Sequence, residues 1–473
     1  MAVLAIDQGT TSTRALCVGD DDGVTITHVV RHRQLYPQPG WVEHDADELI
    51  ASIEACIEAS PDVDAIGIDN QGESCLAWHA DSKQALTPVI VWQDNRTHEV
   101  IERLKADGHE ARVLEIAGLP LDSYFSASKL AWILSHCDEA EALLRAGKLR
   151  MGTTDAYFLD RLAGRFVTDI STASRTSLLS LHTGEWDGEL CELFGVPRQV
   201  LPEIVPTTGD LGEIRQRGRP VPVRASVVDQ QASLYGHGCR RPGDAKITFG
   251  TGAFALAITG NEPLQSPEQG LLPTVAWELT PGRPLYALDG GVYCAGSAIE
   301  WARKLGLFED YVEINRFERG AAIERDLVFV PALSGLACPH WDRSAAGLWL
   351  GMSLQTDRHD LAQALLEGIA LRAAEVIRAM GGFVALAERV SIDGGVSVNP
   401  YFCQFLANVL GRRVSVNAMA ELTALGTAAL AAGGELPGAA GGGEHTEYIP
   451  DADMTGLLDR FGEAVARARG WRR

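Results

Sequence analysis

The stretch Val3-Leu4-Ala5-Ile6-Asp7-Gln8-Gly9-Thr10-Thr11-Ser12-Thr13-Arg14-Ala15-Leu16-Cys17-Val18 decides the class of fold. A short apolar run ends at an acidic residue, a hydroxyl-rich loop from Asp7 to Arg14 follows, and the apolar pattern resumes from Ala15 to Val18. That grammar is strand, polar turn, strand. Gly9 lets the backbone come close to a ligand, and the backbone N–H groups and hydroxyls around it offer donors to anionic oxygens. Asp7, where the first strand ends, is suited to hold a divalent cation directly or through water. Taken alone, such a segment is more often simply a turn.

Working outward, Asp20-Asp21-Asp22-Gly23 reads as a tight turn into a strand from Val24 to Val30. Asp45 reads as the N-cap of a helix, with Glu48 three residues on. Ala65 to Asp69 is another short strand, so strands alternate with helices and the class is α/β. The same grammar returns in the second half. Ala245 to Phe249 is a strand running into Gly250-Thr251-Gly252, and Val390 to Ile392 runs into Asp393-Gly394-Gly395-Val396-Ser397-Val398-Asn399. Pro437 to Gly443 reads as a low-complexity surface loop, and Asp451 to Arg469 as a last helix.

Two related α/β domains are therefore expected, residues 1–238 and 239–473, with the boundary falling between Tyr235 and Gly243. The length of 473 residues agrees with two sizeable cores. Hydrophobic residues make up 46% and charged residues 22%, the balance of a globular chain. The formal net charge of −22 argues against binding nucleic acid or anionic lipid. Nine scattered cysteines without a CxxC pair fit reduced thiols in a cytoplasmic setting. The apolar start is broken at Asp7, which argues against a secretory signal, and no apolar run is long enough to span a membrane.

Three small-residue loops after strands, in two related halves, suggest a nucleotide held between two lobes. A resemblance makes this specific. The segments AIDQGTTSTRA (5–15), GWVEHDADE (40–48), IVWQDNRT (90–97), DQQASLYG (229–236), FGTGAFAL (249–256), IDGGVSVN (392–399) and ELTALGTAAL (421–430) resemble, in order, the glycerol kinase branch of the FGGY carbohydrate kinases. Gly347 to Glu367 is similar to one family signature. Tyr124 to His136 is similar to the other, except that Ser135 departs from its polar set. The resemblance implies two actin-like ATPase (ribonuclease H-like) domains with a nucleotide cleft between them. It also implies ATP and Mg²⁺ as cofactors, a small polyol or sugar as acceptor, and a homo-oligomer (dimer or tetramer).

Carried over residue by residue, the resemblance places Thr10, Thr11, Ser12 and Arg14 at the ATP phosphates, with Thr251 approaching from the other lobe. Gly296, Gly395 and Asn399 would line the rest of the nucleotide site, as would Glu300, which stands where the branch commonly carries Gln. Asp229 falls at the catalytic base, where phosphoryl transfer needs a carboxylate to take the attacking hydroxyl's proton. Asp7 and Asp229 are the expected metal-side carboxylates. Glu73, Tyr124 and Gln230 match residues that hold acceptor hydroxyls, and Trp92 and Phe254 match an aromatic wall for the carbon chain. Read without the family, both aromatics would be core residues.

One departure bears on the acceptor. The branch reads Asn-Gln-Arg-Glu where this chain reads Asn70-Gln71-Gly72-Glu73. Losing a hydrogen bond to a charged group, roughly 1.5–3 kcal/mol, would weaken glycerol by about 10- to 150-fold. Gly72 thus suggests an acceptor longer than glycerol, such as a tetritol, pentitol or ketopentose. The alternative is glycerol itself, with another basic side chain filling the gap. Two readings of other classes fit the fold: a mechanical actin- or chaperone-type ATPase, against which the acceptor residues argue, and a catalytically weak sugar sensor, against which the intact Asp7 and Asp229 speak although Gly72 and Glu300 leave it open.

Overall fold

The computed structural model describes residues 1–19, 23–264, 270–419, 421–434 and 445–472. Asp20 to Asp22 of the expected acidic turn, and the Pro437–Gly443 stretch, lie outside the described residues.

The first half is built on a six-stranded sheet of β1 (Val3–Gln8), β2 (Ser12–Val18), β3 (Val24–Arg31), β4 (Ala65–Asn70), β5 (Glu213–Gln216) and β6 (Arg219–Val228), in spatial order β5-β6-β4-β1-β2-β3. Strands β1, β2 and β3 form an antiparallel meander, whereas β4 and β6 run parallel to β1. The second half carries β7 (Ala245–Phe249), β8 (Ala253–Gly260), β9 (Leu272–Glu278), β10 (Pro284–Val292), β11 (Arg389–Gly394), β12 (Arg413–Asn417) and β13 (His445–Tyr448), in the order β9-β10-β8-β7-β11-β12-β13. Here too an antiparallel set, β7, β8 and β10, is continued by two parallel strands, β11 and β12. The two halves therefore repeat one topology: three antiparallel strands, then two parallel ones reached by crossovers.

Strand β4 is buried along its whole length, as expected of a parallel strand covered on both faces. The first half adds helices α1 (Ala46–Ala59) and α2 (Ser126–His136), and α3 (Asp229–Gly236) follows β6 directly. The second half adds α4 (Gly296–Lys304), α5 (Arg358–Met380), α6 (Pro400–Leu410), α7 (Leu422–Ala431) and α8 (Leu457–Ala468). Asp45 caps α1 as expected, accepting from the amides of Asp47 and Glu48, while the Glu48 carboxylate turns outward to Arg33.

Several expected boundaries move, the strands Val3–Ile6, Val24–Val30 and Ala65–Asp69 extending to Gln8, Arg31 and Asn70 in turn. The first loop shrinks to Gly9–Thr11, because Ser12 and the fully buried Thr13 already belong to β2, where a β-branched residue packs well. The third strand is longer than Val390–Ile392 and runs from Arg389 to Gly394. The last helix starts at Leu457 rather than Asp451. Asp451 is committed to Asn408 Nδ2 at 2.8 Å, and Asp453 folds back onto Thr455.

The halves are joined by an apolar core of their own. Val3, Ala5, Ala225 and Val227 of the first sheet meet Leu256, Ile258 and Ala287 of the second, together with buried residues of α3 and α7. Helix α7 lies late in the chain yet packs on β1, β4 and β6 of the first sheet. It crosses α3 at two glycines. A β-carbon on Gly426 would collide with the Ala232 carbonyl, and one on Gly236 with the Leu422 carbonyl. Only glycine lets the two backbones approach this closely.

Candidate active site

The ends of β1, β4 and β6 converge, since Asp7 pairs with Asp69 across the β1–β4 ladder and Val227 pairs with Asp69 across β4–β6. This register brings three carboxylates together: Asp7 and Asp69 on neighbouring strands, and Asp229 one residue past β6. Burial pushes Asp7 and Asp69 up, and for Asp69 the adjacent charge of Asp7 adds to it. Thr427 of α7 donates to Asp69 Oδ2 at 2.6 Å, and the Asp69 and Asp7 carboxyls lie within hydrogen-bond reach of each other. Asp229 is pushed up to about 7, first by burial and then by the charges of Glu73 and Asp7. Its Oδ1 accepts from the Gln230 amide at 2.7 Å.

The loop between β1 and β2 is closed by the Gly9 amide donating to the Ser12 carbonyl at 3.0 Å, which leaves Thr10 and Thr11 at its tip. Arg14 reaches from β2 to Asp7 Oδ2 at 3.4 Å and also pairs with Glu421 at the start of α7. The matching loop of the other half is tied down differently. The Thr251 carbonyl accepts from the amides of Ala295 and Ser297 at 3.0 and 3.1 Å, and the Gly296 amide donates to the Gly250 carbonyl at 3.0 Å. A β-carbon on Gly296 would lie 2.6 Å from that carbonyl, so glycine is required for this contact.

Gly395 faces open space: nothing lies within 4 Å of where its β-carbon would stand. Asn399 is the N-cap of α6, accepting from the Phe402 amide at 2.8 Å and donating to the Ile314 carbonyl at 2.9 Å. Glu300 lies on α4, with its carboxylate engaged by Arg303 at 3.0 Å and by the Tyr311 hydroxyl.

On the acceptor side, the Trp92 indole donates to Thr10 Oγ1 at 3.2 Å, linking the expected aromatic wall to the first loop. Trp92 and Tyr124 meet edge to face with centroids 5.6 Å apart. Phe254 of β8 lies against Gly291 of β10, from the other half. Glu73 is buried with a left-handed backbone, φ 59°, and its Oε1 accepts from Arg175 Nε at 2.7 Å. Arg175 Nη2 then pairs with Asp289 Oδ2 of β10 at 3.0 Å, so one guanidinium spans carboxylates of both halves. Burial opposes the Arg175 charge, but Glu73 and Asp289 outweigh it and hold the guanidinium above its ordinary value. Gly72 is buried, and a β-carbon there would lie 2.8 Å from Val228 Cγ2.

The architecture thus links Asp7, Glu73, Trp92, Tyr124, Asp229 and Gln230 near the junction of the halves, whereas Phe254 is seen against Gly291 of β10. Sequence reasoning missed Asp69, Arg175, Lys246 and Asp289. Lys246, with no exposed surface, donates to Gln230 Oε1 at 2.8 Å and Thr248 Oγ1 at 2.9 Å. A charged residue inside a strand buried on both faces, as in Ala-Lys-Ile-Thr-Phe at 245–249 or Leu-Asp-Gly-Gly at 288–291, is the signal that was available. Arg175, in a turn, carried no such pattern.

Comparison with known proteins identifies the assembly. The profile described as the FGGY family of carbohydrate kinases, N-terminal domain, matches residues 2–236, and that of the C-terminal domain matches residues 245–434. The chain belongs to the FGGY family of carbohydrate kinases. Among curated proteins, a glycerol kinase of Alkalilimnicola ehrlichii is 42% identical over 494 residues, covering 100% of this chain and 99% of the relative. Among solved structures, Plasmodium falciparum glycerol kinase with ADP superposes with a TM-score of 0.92 at 28% identity, covering 99% and 98% of the two chains. A gluconate kinase from Lactobacillus acidophilus shares the fold, with a TM-score of 0.88 at 20% identity over 98% and 97%.

The kinase works with ATP and Mg²⁺, and its residues fit both. The open backbone at Gly395, the hydroxyls of Thr10, Thr11 and Thr251, and Arg14 offer room and donors for an anionic nucleotide. Among the described residues no three His, Cys, Asp or Glu side chains form a metal cage. Mg²⁺ suits such a site, being held by one or two carboxylates together with substrate phosphates. When bound, it neutralises charge developing on the phosphate oxygens. Among the described residues no helix is long and apolar enough to cross a membrane.

Proposed function

We propose that this kinase phosphorylates a terminal hydroxyl of glycerol. The observation that carries glycerol over a longer polyol is the position of Val228. Its Cγ2 fills the volume beside Gly72, at 2.8 Å from where a β-carbon would stand. The missing side chain at 72 therefore leaves no extra room next to the backbone. The extent of similarity to glycerol kinases, across the whole chain, favours the same acceptor. The tetritol, pentitol or ketopentose reading of Gly72 is the weaker one.

In the proposed mechanism the acceptor's carbon chain lies between Trp92 and Phe254, with Glu73, Tyr124 and Gln230 holding hydroxyls. Asp229 takes the proton from the attacking hydroxyl, and a carboxyl pushed up to about 7 is well matched to that task near neutral pH. Asp7 and Asp229 face the metal. Thr10, Thr11, Ser12, Arg14 and Thr251 surround the phosphates and stabilise charge on the transferring group. Gly296, Glu300, Gly395 and Asn399 border the nucleotide, Asn399 through the turn it caps. The working units are residues 1–238 and 239–473, and closure between them excludes water that would compete as acceptor. We place the enzyme in the cytoplasm as a dimer or tetramer. Nine cysteines, eight of them buried and none in a disulfide among the described residues, fit a reducing compartment.

The test is ADP release with MgATP across glycerol, erythritol, threitol, ribitol, xylitol, arabinitol, ribulose and xylulose, against an acceptor-free blank. Glycerol is expected to give the highest kcat/KM. A clear preference for any longer acceptor overturns the reading.

A further inference from the structure

The acceptor side holds two buried polar atoms that the protein itself leaves unsatisfied. Arg175 uses Nε for Glu73 and Nη2 for Asp289, but among the described residues its Nη1 has no hydrogen-bond partner. Asp289 gives Oδ2 to Arg175, and among the described residues its Oδ1 has none within ordinary hydrogen-bond geometry, the Gly290 amide only steadying the carboxylate. The Arg175 side chain is 4% exposed and that of Asp289 11%. A donor and an acceptor left unpaired on two residues that already touch each other is costly unless something else completes them. A hydroxyl does both, accepting from one atom and donating to the other.

The guanidinium carbon lies 5.9 Å from the Tyr124 ring centroid and 5.6 Å from that of Phe125, so aromatic rings hold the guanidinium in place beside Tyr124, a residue of the expected acceptor site. Another cation near Glu73, Lys129, is already committed to the Tyr124 carbonyl at 2.5 Å. Gly72 offers no side chain at all.

We infer that Arg175 and Asp289 together hold a non-reacting hydroxyl of the acceptor, making them specificity-determining residues of this kinase. The inference rests on the proposed acceptor class. It assigns to a guanidinium from the turn after residues 170–173, and a carboxylate from β10, a part of the recognition that neither Gly72 nor Glu73 can supply alone. Because the two residues belong to different halves, acceptor binding would also bridge the lobes at this point.

The experiment compares kcat/KM for glycerol, 1,2-propanediol and 1,3-propanediol in the wild type, Arg175→Gln, Arg175→Lys and Asp289→Asn. Each diol lacks one non-reacting hydroxyl. In the wild type, losing the hydroxyl held by this pair lowers kcat/KM by about 10- to 150-fold. In Arg175→Gln and Asp289→Asn the glycerol-to-diol ratio for that compound collapses towards one, and the loss for glycerol is carried mainly by KM. Ratios that stay at the wild-type value, with every acceptor weakened alike, mean that the pair is only a structural clamp and overturn the inference. Should Arg175→Gln fail to fold, Asp289→Asn, which keeps the volume, decides by the same ratio. If the wild type prefers a longer polyol, the glycerol reading fails on its own, and the ratio is measured on that polyol and its deoxy forms.

Discussion

Val228 Cγ2 stands 2.8 Å from the point where a β-carbon on Gly72 would be. The two positions are therefore coupled: the valine occupies what a side chain at 72 would need. Gly72→Arg alone forces overpacking, with an expected cost of about 1–3 kcal/mol. Adding Val228→Gly removes the obstruction, and the pair recovers stability relative to Gly72→Arg. Urea unfolding of both single variants and the double variant gives the coupling energy. Simple additivity would show that the contact does not govern position 72.

Asp229→Asn keeps the shape of the side chain but removes the base. The expected loss in kcat is about 10²- to 10⁴-fold, with the KM for ATP within a few-fold of wild type. Single-turnover kinetics with glycerol separate this from slow product release. A variant with near-normal kcat would exclude Asp229 as the proton acceptor.

Glu367 supplies a pH signature away from the cleft. It is buried on α5, accepting from the Ala322 amide at 2.8 Å, the Ile323 amide at 3.1 Å and the Tyr401 hydroxyl at 2.5 Å. Burial outweighs those donors and pushes the carboxyl from its ordinary 4.5 up to about 7. The fold thus holds a proton that the unfolded chain releases. The resulting stabilisation is fully present below pH 4.5 and is lost as pH rises through about 7. Its upper size is about 3 kcal/mol. Glu367→Gln does not titrate, so the stability of wild type relative to this variant falls as pH goes from about 5 to 8. Parallel curves in urea unfolding would refute the shift.

Much of this was legible in the sequence, for definable reasons. Val3–Ile6 announces itself because a strand buried on both faces is an apolar run, and Ala245–Phe249 and the strand ending at Asp393-Gly394 because each runs into a small-residue loop. Asp7, Asp229 and Glu73 sit at strand ends beside distinctive small or amide residues, so local motif and spatial position coincide. What sequence reading lost was contact between distant segments. Nothing near Gly72 reveals that Val228 fills its space, and nothing near Arg175 reveals that Glu73 and Asp289 are its partners. Helix α7 was read only as a family-like segment, although it closes the core between the halves. Asp451 read as the start of the last helix, but Asn408 claims its carboxylate.

The crossing of α3 and α7 makes a final prediction about the joint between the halves. At Gly426 a methyl group would run into the Ala232 carbonyl and also come within 2.9 Å of the Ala232 carbonyl carbon. Neither atom can rotate away, because both belong to the backbone of a helix that begins with Asp229. Helix propensity alone would favour Ala over Gly by up to about 1 kcal/mol. Steric exclusion opposes this and dominates, so Gly426→Ala is expected to destabilise the protein by about 3 kcal/mol or more. The same displacement moves the first turn of α3, so kcat should fall even under conditions where the variant remains folded. Urea unfolding, with circular dichroism and turnover followed on one sample, reads both effects. A Gly426→Ala enzyme as stable and active as wild type would mean that the helices have room to separate, and that the close crossing does not hold Asp229 in place.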